Sequence, residues 1–344
     1  MCLPKDILKL IKIDEFSSSP KYMQLSNSVL DGIRKGIIQK NDLMPSINDV
    51  SFGFDISRVT VERGYNYLKS IGVLKSVAGK GYFINSTELS QSYKVFLLFN
   101  KLSVHKKIIY DSFVQTLGPK ASIDFFVYNN DFGLFKRIIE NRKDDYTNYV
   151  IIPHFFEEGE NASEVINTLP SGRVILLDKI LPKITLEFGA VYENFGNDLF
   201  QTLTEGLESL KKYHKIILIF PDASYFPKEI IKGFKQFCAE FAFEQEIISS
   251  LENHQISKGE VYINLMEDDL VDLIDKIISI NFEIGKEIGV ISYNDTPLKR
   301  FILNGLTTIS TDFKQMGKSA AELILNNQTS KIENPFYLTL RKSL

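Results

Sequence analysis

The sequence predicts an α/β protein in two parts: a small helical head that ends in a β-hairpin, and a larger body of doubly wound parallel sheets. Two observations carry this prediction. Residues 21–84 contain three short amphipathic segments followed by two strand-like runs around a Gly-Lys-Gly tip. From residue 94 onward, runs of successive apolar residues alternate with helical stretches, a pattern typical of parallel strands that helices cover on both faces.

The head opens with a helix that we expect over Lys21 to Lys35. Its apolar residues recur at spacings of three and four and form one stripe, made of Tyr22, Leu25, Val29 and Ile33. Gly36 then allows the chain to turn away. Ser46 is a natural N-cap for a second helix, and Asp49 three residues later completes a pattern close to the capping box.

A third helix follows, with Ser57 as its N-cap. Its buried side carries three apolar residues at helical spacing, namely Val61, Tyr65 and Leu68. The opposite face places Arg58, Thr60 and Arg63 near the N-terminal end, where a recognition helix reaches base edges and phosphates. Arginine can hold guanine through two hydrogen bonds, and threonine can donate to a phosphate. The alternative is an ordinary surface helix with solubilising charges.

Two strands, expected over 73–77 and 82–84, form a hairpin after this helix. Its tip contains Gly79, Lys80 and Gly81. Glycines permit positive φ and a close approach of the backbone to a phosphate or to the minor groove. Helix, helix, turn, helix and hairpin in this order describe a winged helix-turn-helix, which reads duplex DNA.

The stretches "PSINDVS" and "ISRVTVERGYNYLKSIGVLKSVAGKGYFI" resemble the DNA-binding domain of the GntR family over about residues 15–86. The resemblance implies DNA contacts from Ser46, Arg58, Thr60, Gly79, Lys80 and Gly81. We add Arg63 because it lies on the same exposed face of the third helix. Asn48 and Glu62 stand where family members often have arginine, so we expect the preferred operator to differ from the commonest GntR sites.

The body, 94–344, follows a polar stretch at 87–93 that we interpret as a linker. Seven apolar runs predict its strands, at 95–99, 123–128, 149–153, 173–178, 215–220, 260–265 and 287–293. Ligands of doubly wound sheets bind beyond the carboxyl ends of the strands. That edge should carry residues 100–105, His154, 178–179, 221–225, Glu267 and 294–295.

The segments "RVILLDKILP" and "EIGVISYNDTPLKRFILNGLTTISTDFKQMGKSAAELIL" look like parts of LacI-type, periplasmic-binding-protein-like domains. The resemblance implies two lobes, the first at about 94–192 and 308–332 and the second at about 193–307 and 333–344. It also implies an effector between them. Asn294 stands where the family usually has an acidic residue, and Ile230 where an arginine is common, so the identity of the ligand does not transfer.

A carbohydrate site needs polar groups that bind two hydroxyls and aromatic rings that cover the apolar face of the sugar. The candidate effector residues are Lys101, His105, Tyr110, Phe155, Asp178, Tyr192, Tyr225, Glu267, Asn294 and Asp295. Each has a simpler explanation. Glu267 is the first of several acidic residues at the start of a predicted helix, where the helix dipole favours negative charge. Asp295 can cap a turn, and the aromatic residues can belong to the core.

Charge separates the two parts of the chain. Residues 1–86 carry a net charge of +4 and the remainder −7, which fits a DNA-binding head on a body that need not touch DNA. Cys2 and Cys238 form no CxxC pair, and the first residues resemble neither a signal peptide nor a membrane helix. We therefore expect a cytoplasmic protein without disulfides that does not associate with membranes.

Motifs for catalysis fail on inspection of their spacing. The four histidines show no metal-ligand pattern, GxSxG is absent, and the Gly317-Lys318-Ser319 sequence lacks the glycine of a phosphate loop five residues earlier. We expect no enzyme activity, cofactor or metal. The hypothesis is a homodimeric transcription regulator that binds palindromic operator DNA under control of a small molecule, most simply a monosaccharide or derivative. The alternatives are another metabolite, or a body used only for dimerisation.

Overall fold

The computed structural model describes residues 4–14, 17, 19–87, 93–142, 146–222 and 226–344. Most of the expected linker and the candidate Tyr225 lie outside these residues, as does Cys2. Within the described part of the chain, no helix is both long enough and apolar enough to cross a membrane.

The head contains four helices and a two-stranded antiparallel hairpin among its described residues. The elements are α1 (Pro4–Leu10), α2 (Lys21–Arg34), α3 (Ile47–Phe54), α4 (Arg58–Ser70), β1 (Leu74–Val77) and β2 (Gly81–Ile84). The first helix and both strands of the hairpin match their predicted bounds to within one residue, and the second and third helices begin after the predicted N-caps Ser46 and Ser57. Helix α1 was not predicted; it packs against α2 and α3, and Ile7 is fully buried in the core of the head.

The first lobe of the body is built on a six-stranded sheet in the order β13-β7-β6-β5-β3-β4, and every pair in it is parallel. Its strands are β3 (Tyr93–Phe99), β4 (Ala121–Val127), β5 (Asn148–Ile151), β6 (Val174–Asp178), β7 (Phe188–Tyr192) and β13 (Lys331–Glu333). Its helices are α5 (Val104–Leu117), α6 (Phe132–Glu140), α7 (Ala162–Ile166) and α12 (Phe313–Leu325). Apolar clusters fill both faces of the sheet.

The second lobe has a six-stranded sheet in the order β14-β12-β11-β10-β8-β9. Its strands are β8 (Lys215–Ile219), β9 (Glu244–Ile248), β10 (Glu260–Asn264), β11 (Ile288–Tyr293), β12 (Thr307–Thr311) and β14 (Phe336–Thr339). Only the pair of β12 and β14 is antiparallel within this described sheet. Its helices are α8 (Phe195–Glu205), α9 (Leu207–Leu210), α10 (Glu229–Glu240) and α11 (Glu267–Ser279).

The seven strands predicted for the body are all present, and the doubly wound α/β class is confirmed. One boundary differs from the expectation. We placed residues 308–332 in the first lobe, but β12 pairs with β11 and β14 in the second sheet, so the chain returns to the first lobe only after Thr311. The short strands β9 and β13 consist mostly of polar and charged residues, so the sequence shows no apolar run for them.

Candidate functional site

The head forms its helix-turn-helix through two local caps. At the start of α3 the Asp49 amide donates to Ser46 Oγ over 3.1 Å, and the Ser46 amide donates to the Asp49 carboxylate over 3.1 Å, so the predicted capping box is complete. At the start of α4 the Thr60 amide donates to Ser57 Oγ over 3.2 Å. Asp55 ends α3 in a left-handed conformation with φ of 47°. These local bonds define where the recognition helix begins.

Helix α4 is held firmly on the rest of the head. The buried Tyr65 hydroxyl donates to the carbonyl of Pro45 over 2.8 Å, and burial is the main reason that its pKa lies far above the usual value. Gly64 lets α4 approach α2 closely, because a Cβ there would lie 3.0 Å from the carbonyl oxygen of Tyr22. The outward face of α4 is therefore presented from a rigid support.

The DNA-facing candidates on α4 differ in how free their side chains are. Arg58 and Arg63 are exposed, but the Arg63 guanidinium lies 4.2 Å from the centre of the Tyr22 ring and stacks on α2. The Thr60 hydroxyl forms a 2.8 Å hydrogen bond with Ser57 Oγ. Arg58 is thus the arginine of this face best placed to extend toward a ligand.

The hairpin tip has the backbone that the sequence predicts. Gly79 and Gly81 have φ of 72° and 99°, and both lie on the surface with Lys80 between them. The Lys80 amide donates to the carbonyl of Val77 over 3.0 Å, which closes the turn. The tip therefore offers one ammonium group on a tight, exposed turn.

In the body, the carboxyl ends of the strands from both lobes meet in one groove. Buried polar residues gather at its centre, where Asp178 ends β6 and His154 follows β5. Lys106 Nζ lies 2.5 Å and His154 Nε2 lies 3.1 Å from Asp178 Oδ2. Asp178 has φ of 74°, a left-handed conformation that Asp tolerates better than most residues. These three side chains form what we call the Asp178 cluster.

A second carboxyl belongs to the same centre. Burial alone would raise the pKa of Asp178, but Lys106 and His154 hold it well below the usual range. Burial, followed by the neighbouring Asp178 charge, raises the pKa of Glu193 well above the usual range. The two neighbouring carboxyls are therefore shifted in opposite directions, and Glu193 holds a proton more readily than Asp178 does.

Two further candidates line the groove from the first lobe. Burial and the nearby Lys106 lower the pKa of His105 to about 3, so its ring is neutral. That ring stacks on Phe313 with 5.1 Å between ring centres. Burial also lowers the pKa of Lys101, with Lys106 as the next cause. His105 can therefore offer a neutral nitrogen and Lys101 an amine that loses its proton more easily than a surface lysine.

The second lobe contributes Glu267 and Asn294. Lys299 Nζ donates to the carbonyls of Tyr293 and Asn294 over 3.1 and 2.7 Å, and it lies 3.9 Å from Glu267 Oε1. Burial lowers the pKa of Lys299 to about 8. This lysine fixes the turn after β11, where Asn294 has φ of 64°. It is a support for the groove that the sequence did not point to.

Three adjoining cavities run along the groove. A front cavity of about 310 Å³ is lined by Lys101, Ser103, Val104, His105, Phe226, Leu265, Met266, Glu267, Asp268, Tyr293 and Asn294. It narrows to a space of about 30 Å³ beside the Asp178 cluster. Beyond Glu193, Phe195 and Pro227 the groove widens into a rear cavity of about 490 Å³, which Tyr192 also lines.

Three predicted effector residues do not line these cavities. Tyr110 packs on Phe125 of the first lobe, with 5.2 Å between ring centres. Phe155 packs against Tyr128 and Phe135 in the core of that lobe. Asp295 forms a two-point ion pair with Arg341, at 3.1 and 2.6 Å. In each case the side chain contacts a core residue or an ion-pair partner that is distant in sequence, and the structure does not bring these three residues to the groove.

The groove also contains residues that the effector prediction omitted. Lys106 belongs to the Asp178 cluster and Glu193 lies beside it, while Tyr293 and Phe313 supply ring surface. The Tyr293 hydroxyl is buried and has no hydrogen-bond partner among the described residues. The predicted segment 100–105 ends one residue before Lys106, so extending that segment by one residue would have included it. Nothing local to Glu193 distinguishes it from a surface glutamate.

Comparison with known proteins supports the interpretation that the chain consists of a head and a body of different kinds. No protein-family model matches the chain. It is 33% identical over 75 residues to the uncharacterized HTH-type transcriptional regulator YurK of Bacillus subtilis, a match that covers 22% of this chain and 31% of YurK. It is 28% identical over 98 residues to the transcriptional repressor YtrA of B. subtilis, covering 28% of this chain and 72% of YtrA.

A third relative is the probable fructoselysine utilization operon transcriptional repressor of Escherichia coli, which is 28% identical over 79 residues. That match covers 23% of this chain and 32% of the relative. The chain thus spans only about a third of the length of YurK and of this repressor.

Solved structures resemble a much larger share of the chain than these relatives do. The lactose repressor bound to an anti-inducer covers 73% of this chain and 99% of its own, with a TM-score of 0.58 and 17% identity. A LacI family transcriptional regulator from Silicibacter pomeroyi covers 73% of this chain and 98% of its own, with a TM-score of 0.59 and 15% identity. The body therefore has the fold of LacI-family repressors, and the chain combines it with similarity to helix-turn-helix regulators, as the sequence indicated.

Proposed function

We propose that the protein is a DNA-binding transcription regulator whose operator affinity depends on a small molecule held between the two lobes. The observation that carries this proposal is the combination in one chain of an exposed, rigidly supported recognition helix and a polar groove between two α/β lobes. Neither part supports the whole function by itself, since many folds bind small molecules without any link to DNA.

For the head, Arg58 and Thr60 would contact bases or phosphates from α4, and Lys80 would contact a phosphate beside the minor groove from the hairpin tip. Gly79 and Gly81 would let the backbone of the tip approach the DNA. Ser46 would act through its backbone at the start of α3, because its side chain is already engaged in the capping box. Arg63 has a smaller share, because its guanidinium stacks on Tyr22.

For the body, the effector would occupy the front cavity and reach the Asp178 cluster. The cavity lies within the volume range of small-molecule sites, and it combines a few polar groups with ring surface. Lys101, His105, Glu267 and Asn294 supply donors and acceptors, which suits the several hydroxyls of a monosaccharide or a derivative. One relative is named for a fructoselysine operon, which supports a sugar derivative without identifying it.

A homodimer would give the regulator two heads for a roughly palindromic site, and closed two-fold dimers are the commonest protein assemblies. The lactose repressor, whose fold the body shares, has been solved as a dimer bound to operator, with a TM-score of 0.58 to this chain. Effector and operator would then alter each other's affinity by the same factor.

A metabolite other than a sugar is the nearest alternative. The mixture of amine, imidazole, amide and carboxyl groups in the groove also suits an amino acid or a nucleoside. A body that serves dimerisation alone would be favoured if no small molecule binds at all. Enzyme activity has the weakest support, because the named relatives are transcription regulators.

A thermal-shift screen of the full chain against monosaccharides, sugar phosphates, amino acids and nucleosides tests the sensor. A ligand that binds only the folded state raises the melting temperature with its concentration. We expect a shift with one sugar that Asn294→Ala abolishes and Arg58→Ala leaves intact. A shift with an amino acid or nucleoside would replace the sugar, and no shift with any compound would favour dimerisation alone.

Selection of duplex sites from a random oligonucleotide pool tests the reader. We expect a recurring sequence, with two half-sites if the protein is a dimer. Recovery of only random sequence would remove the claim of specificity, and it would do so whatever the thermal-shift screen had shown.

A further inference from the structure

The head is held on the first lobe by direct contacts at an edge of the lobe's sheet. Strand β4 is an edge strand, because it pairs only with β3 in the described sheet. On its outer side the Phe125 amide donates to Ser19 Oγ over 2.6 Å, and the Phe125 carbonyl accepts from Ser17 Oγ over 3.4 Å. The head therefore covers a strand edge that would otherwise be open to other chains.

Helix α2 adds a buried polar contact at the same place. Asn27 Nδ2 donates to Asp124 Oδ1 over 2.8 Å, and the Tyr146 hydroxyl donates to Asp124 Oδ2 over 2.9 Å. Burial raises the pKa of Asp124 despite the opposing effect of Lys94. A carboxyl in such a setting depends on both partners, one from the head and one from the body.

Charged pairs surround this contact. Asp31 of α2 binds Lys94 of β3, and it also lies 2.8 Å from Arg34 Nη1. Arg34 Nη2 in turn donates to Ser122 Oγ of β4 over 3.2 Å. These side chains are mostly buried, so their hydrogen bonds are poorly replaced by water.

A further ion pair lies in the same region, where one cavity is lined by Asp14, Asp31, Lys94 and Arg142. Asp14 binds Arg142, whose guanidinium also lies over the ring of Phe126 at 4.9 Å from its centre. This pair joins the segment before α2 to the end of α6. Together with the contacts of residues 17, 19, 27, 31 and 34, it forms what we call the head clamp.

The head clamp connects to the groove through two elements of the first lobe. Strand β3 carries Lys94 of the clamp as its second residue and leads to Lys101 at the groove. Helix α5 begins at the groove with His105 and Lys106, and its Tyr110 packs on Phe125 beneath the clamp. The same strand and helix therefore carry groove residues at one end and clamp residues at the other.

The clamp leaves the DNA-reading groups accessible. Arg58, Arg63, Gly79 and Lys80 are all exposed in this arrangement. The clamp uses α2 and the segment before it, on a different side of the head from the outward face of α4.

We propose that the head clamp holds the head on the first lobe in one orientation, so that the head moves as a unit with that lobe and the reading face follows the position of the groove. This goes beyond the proposed function, which requires a response to effector but no direct contact between head and lobe.

Spin-label distances in the full chain test the clamp without DNA or effector. Asn66 of α4 and Lys136 of α6 are exposed, and both would be replaced by labelled cysteines. Cys2 would be replaced by serine. Cys238 can stay, because burial raises its pKa to about 12 and keeps it an unreactive thiol. We expect one narrow distance distribution between α4 and α6.

Charge reversal then opens and rebuilds the clamp. Arg142→Asp and Asp14→Arg should each broaden the distribution by about twofold or more, since each places two like charges at a partly buried position in the clamp where an ion pair stood. The double variant D14R/R142D should restore most of the narrow distribution. Lys40→Glu is the matched control, because Lys40 is exposed, lies outside the cavity that the clamp residues line, and should leave the distribution unchanged.

A second measurement guards against loss of folding in these variants. Exchange of the Phe125 amide should be slow in the native chain and faster in Ser19→Ala, while amides of β5 and β6 stay unchanged. A broad distance distribution in the native chain, or fast Phe125 exchange there, would overturn the clamp. Narrow distributions in both single variants would also overturn it. The regulator proposal would be untouched by either result, since its tests measure DNA and effector binding.

Discussion

The reading face of the head and the groove of the body present charge in opposite settings. Arg58 and Lys80 lie on the surface, where water solvates them and a phosphate or base edge can replace that water. Asp178 and Lys106 lie buried in the groove, and each is compensated by the other before any ligand arrives. Under the proposed function, the head would therefore bind DNA without breaking contacts of its own, whereas a ligand in the groove would compete with contacts already made.

This contrast predicts different costs for removing a charge. Loss of a surface charge weakens binding and leaves the fold intact, whereas loss of a buried partner leaves an uncompensated charge inside the protein. The following predictions are ordered by the size of the expected effect, and each would strengthen or remove one side of the contrast.

The largest effect is expected for Lys106→Met. It leaves the buried Asp178 without the ammonium group that lies 2.5 Å from its carboxylate, and the free energy of unfolding should fall by about 3–5 kcal/mol. Denaturant unfolding of the full chain measures this. Adding Asp178→Asn should recover much of the loss, because the amide removes the charge and tolerates the positive φ. A loss below about 1 kcal/mol in the single variant would show that the cluster is open to water.

Arg58→Ala should weaken binding to a selected duplex by about 1–3 kcal/mol without changing stability. Titration of selected and random duplexes at fixed salt measures the difference. The matched control is Arg63→Ala, which should lose less because the Arg63 guanidinium stacks on Tyr22. Equal losses of Arg58→Ala on selected and random DNA would assign Arg58 to a phosphate and not to a base.

Asp198, in the first turn of α8, should make stability depend on pH. Burial raises its pKa to about 6 from an ordinary 3.8. The protonated form is favoured in the folded state, so the stabilisation is complete below about pH 4 and is lost as pH rises through about 6. After a discount for its partial contact with solvent, we expect about 1–2 kcal/mol.

Asp198→Asn should remove this loss. The free energies of unfolding at pH 5 and at pH 7.5 should then differ less in the variant than in the native chain. Asp178 changes stability in the opposite direction, because its lowered pKa costs stability as pH falls. An unchanged difference in the Asn variant would assign the pH dependence to other groups.

The smallest effect is expected for Lys80→Ala. It should lower affinity for selected and random duplexes alike and reduce the slope of log affinity against log salt by about 1. Lys75, exposed on β1 of the same hairpin, supplies the control through Lys75→Ala, which should change the slope less. A sequence-dependent loss for Lys80→Ala would instead move Lys80 to a base edge.

The head was predicted closely because its determinants are local. The Ser46 and Ser57 caps each act over three residues, and the hairpin turn needs only its own glycines. The exception is α1, whose seven residues pack across α2 and α3. Its position depends on tertiary contacts, and the short charged sequence carries little periodicity of its own.

The groove was predicted less well, and the reasons differ among residues. Lys101, His105, Asp178, Glu267 and Asn294 follow from the rule that ligands bind beyond strand ends, and the structure gathers them in adjoining cavities. Tyr110 and Asp295 satisfy similar sequence rules, but Phe125 and Arg341 engage them. Arg341 lies 46 residues from Asp295 in the chain, so no local pattern announces the pair.

The sequence by itself determined the order of the parts, the helix starts of the head and the apolar strands of the body, because caps, turns and hydrophobic periodicity act between near neighbours. Tertiary structure alone decided the pairing of Asp178 with Lys106, the raised pKa of Glu193 and the contact of the head with β4. Those features arise from burial and charge across residues far apart in the chain, and only folding brings such groups within reach of one another.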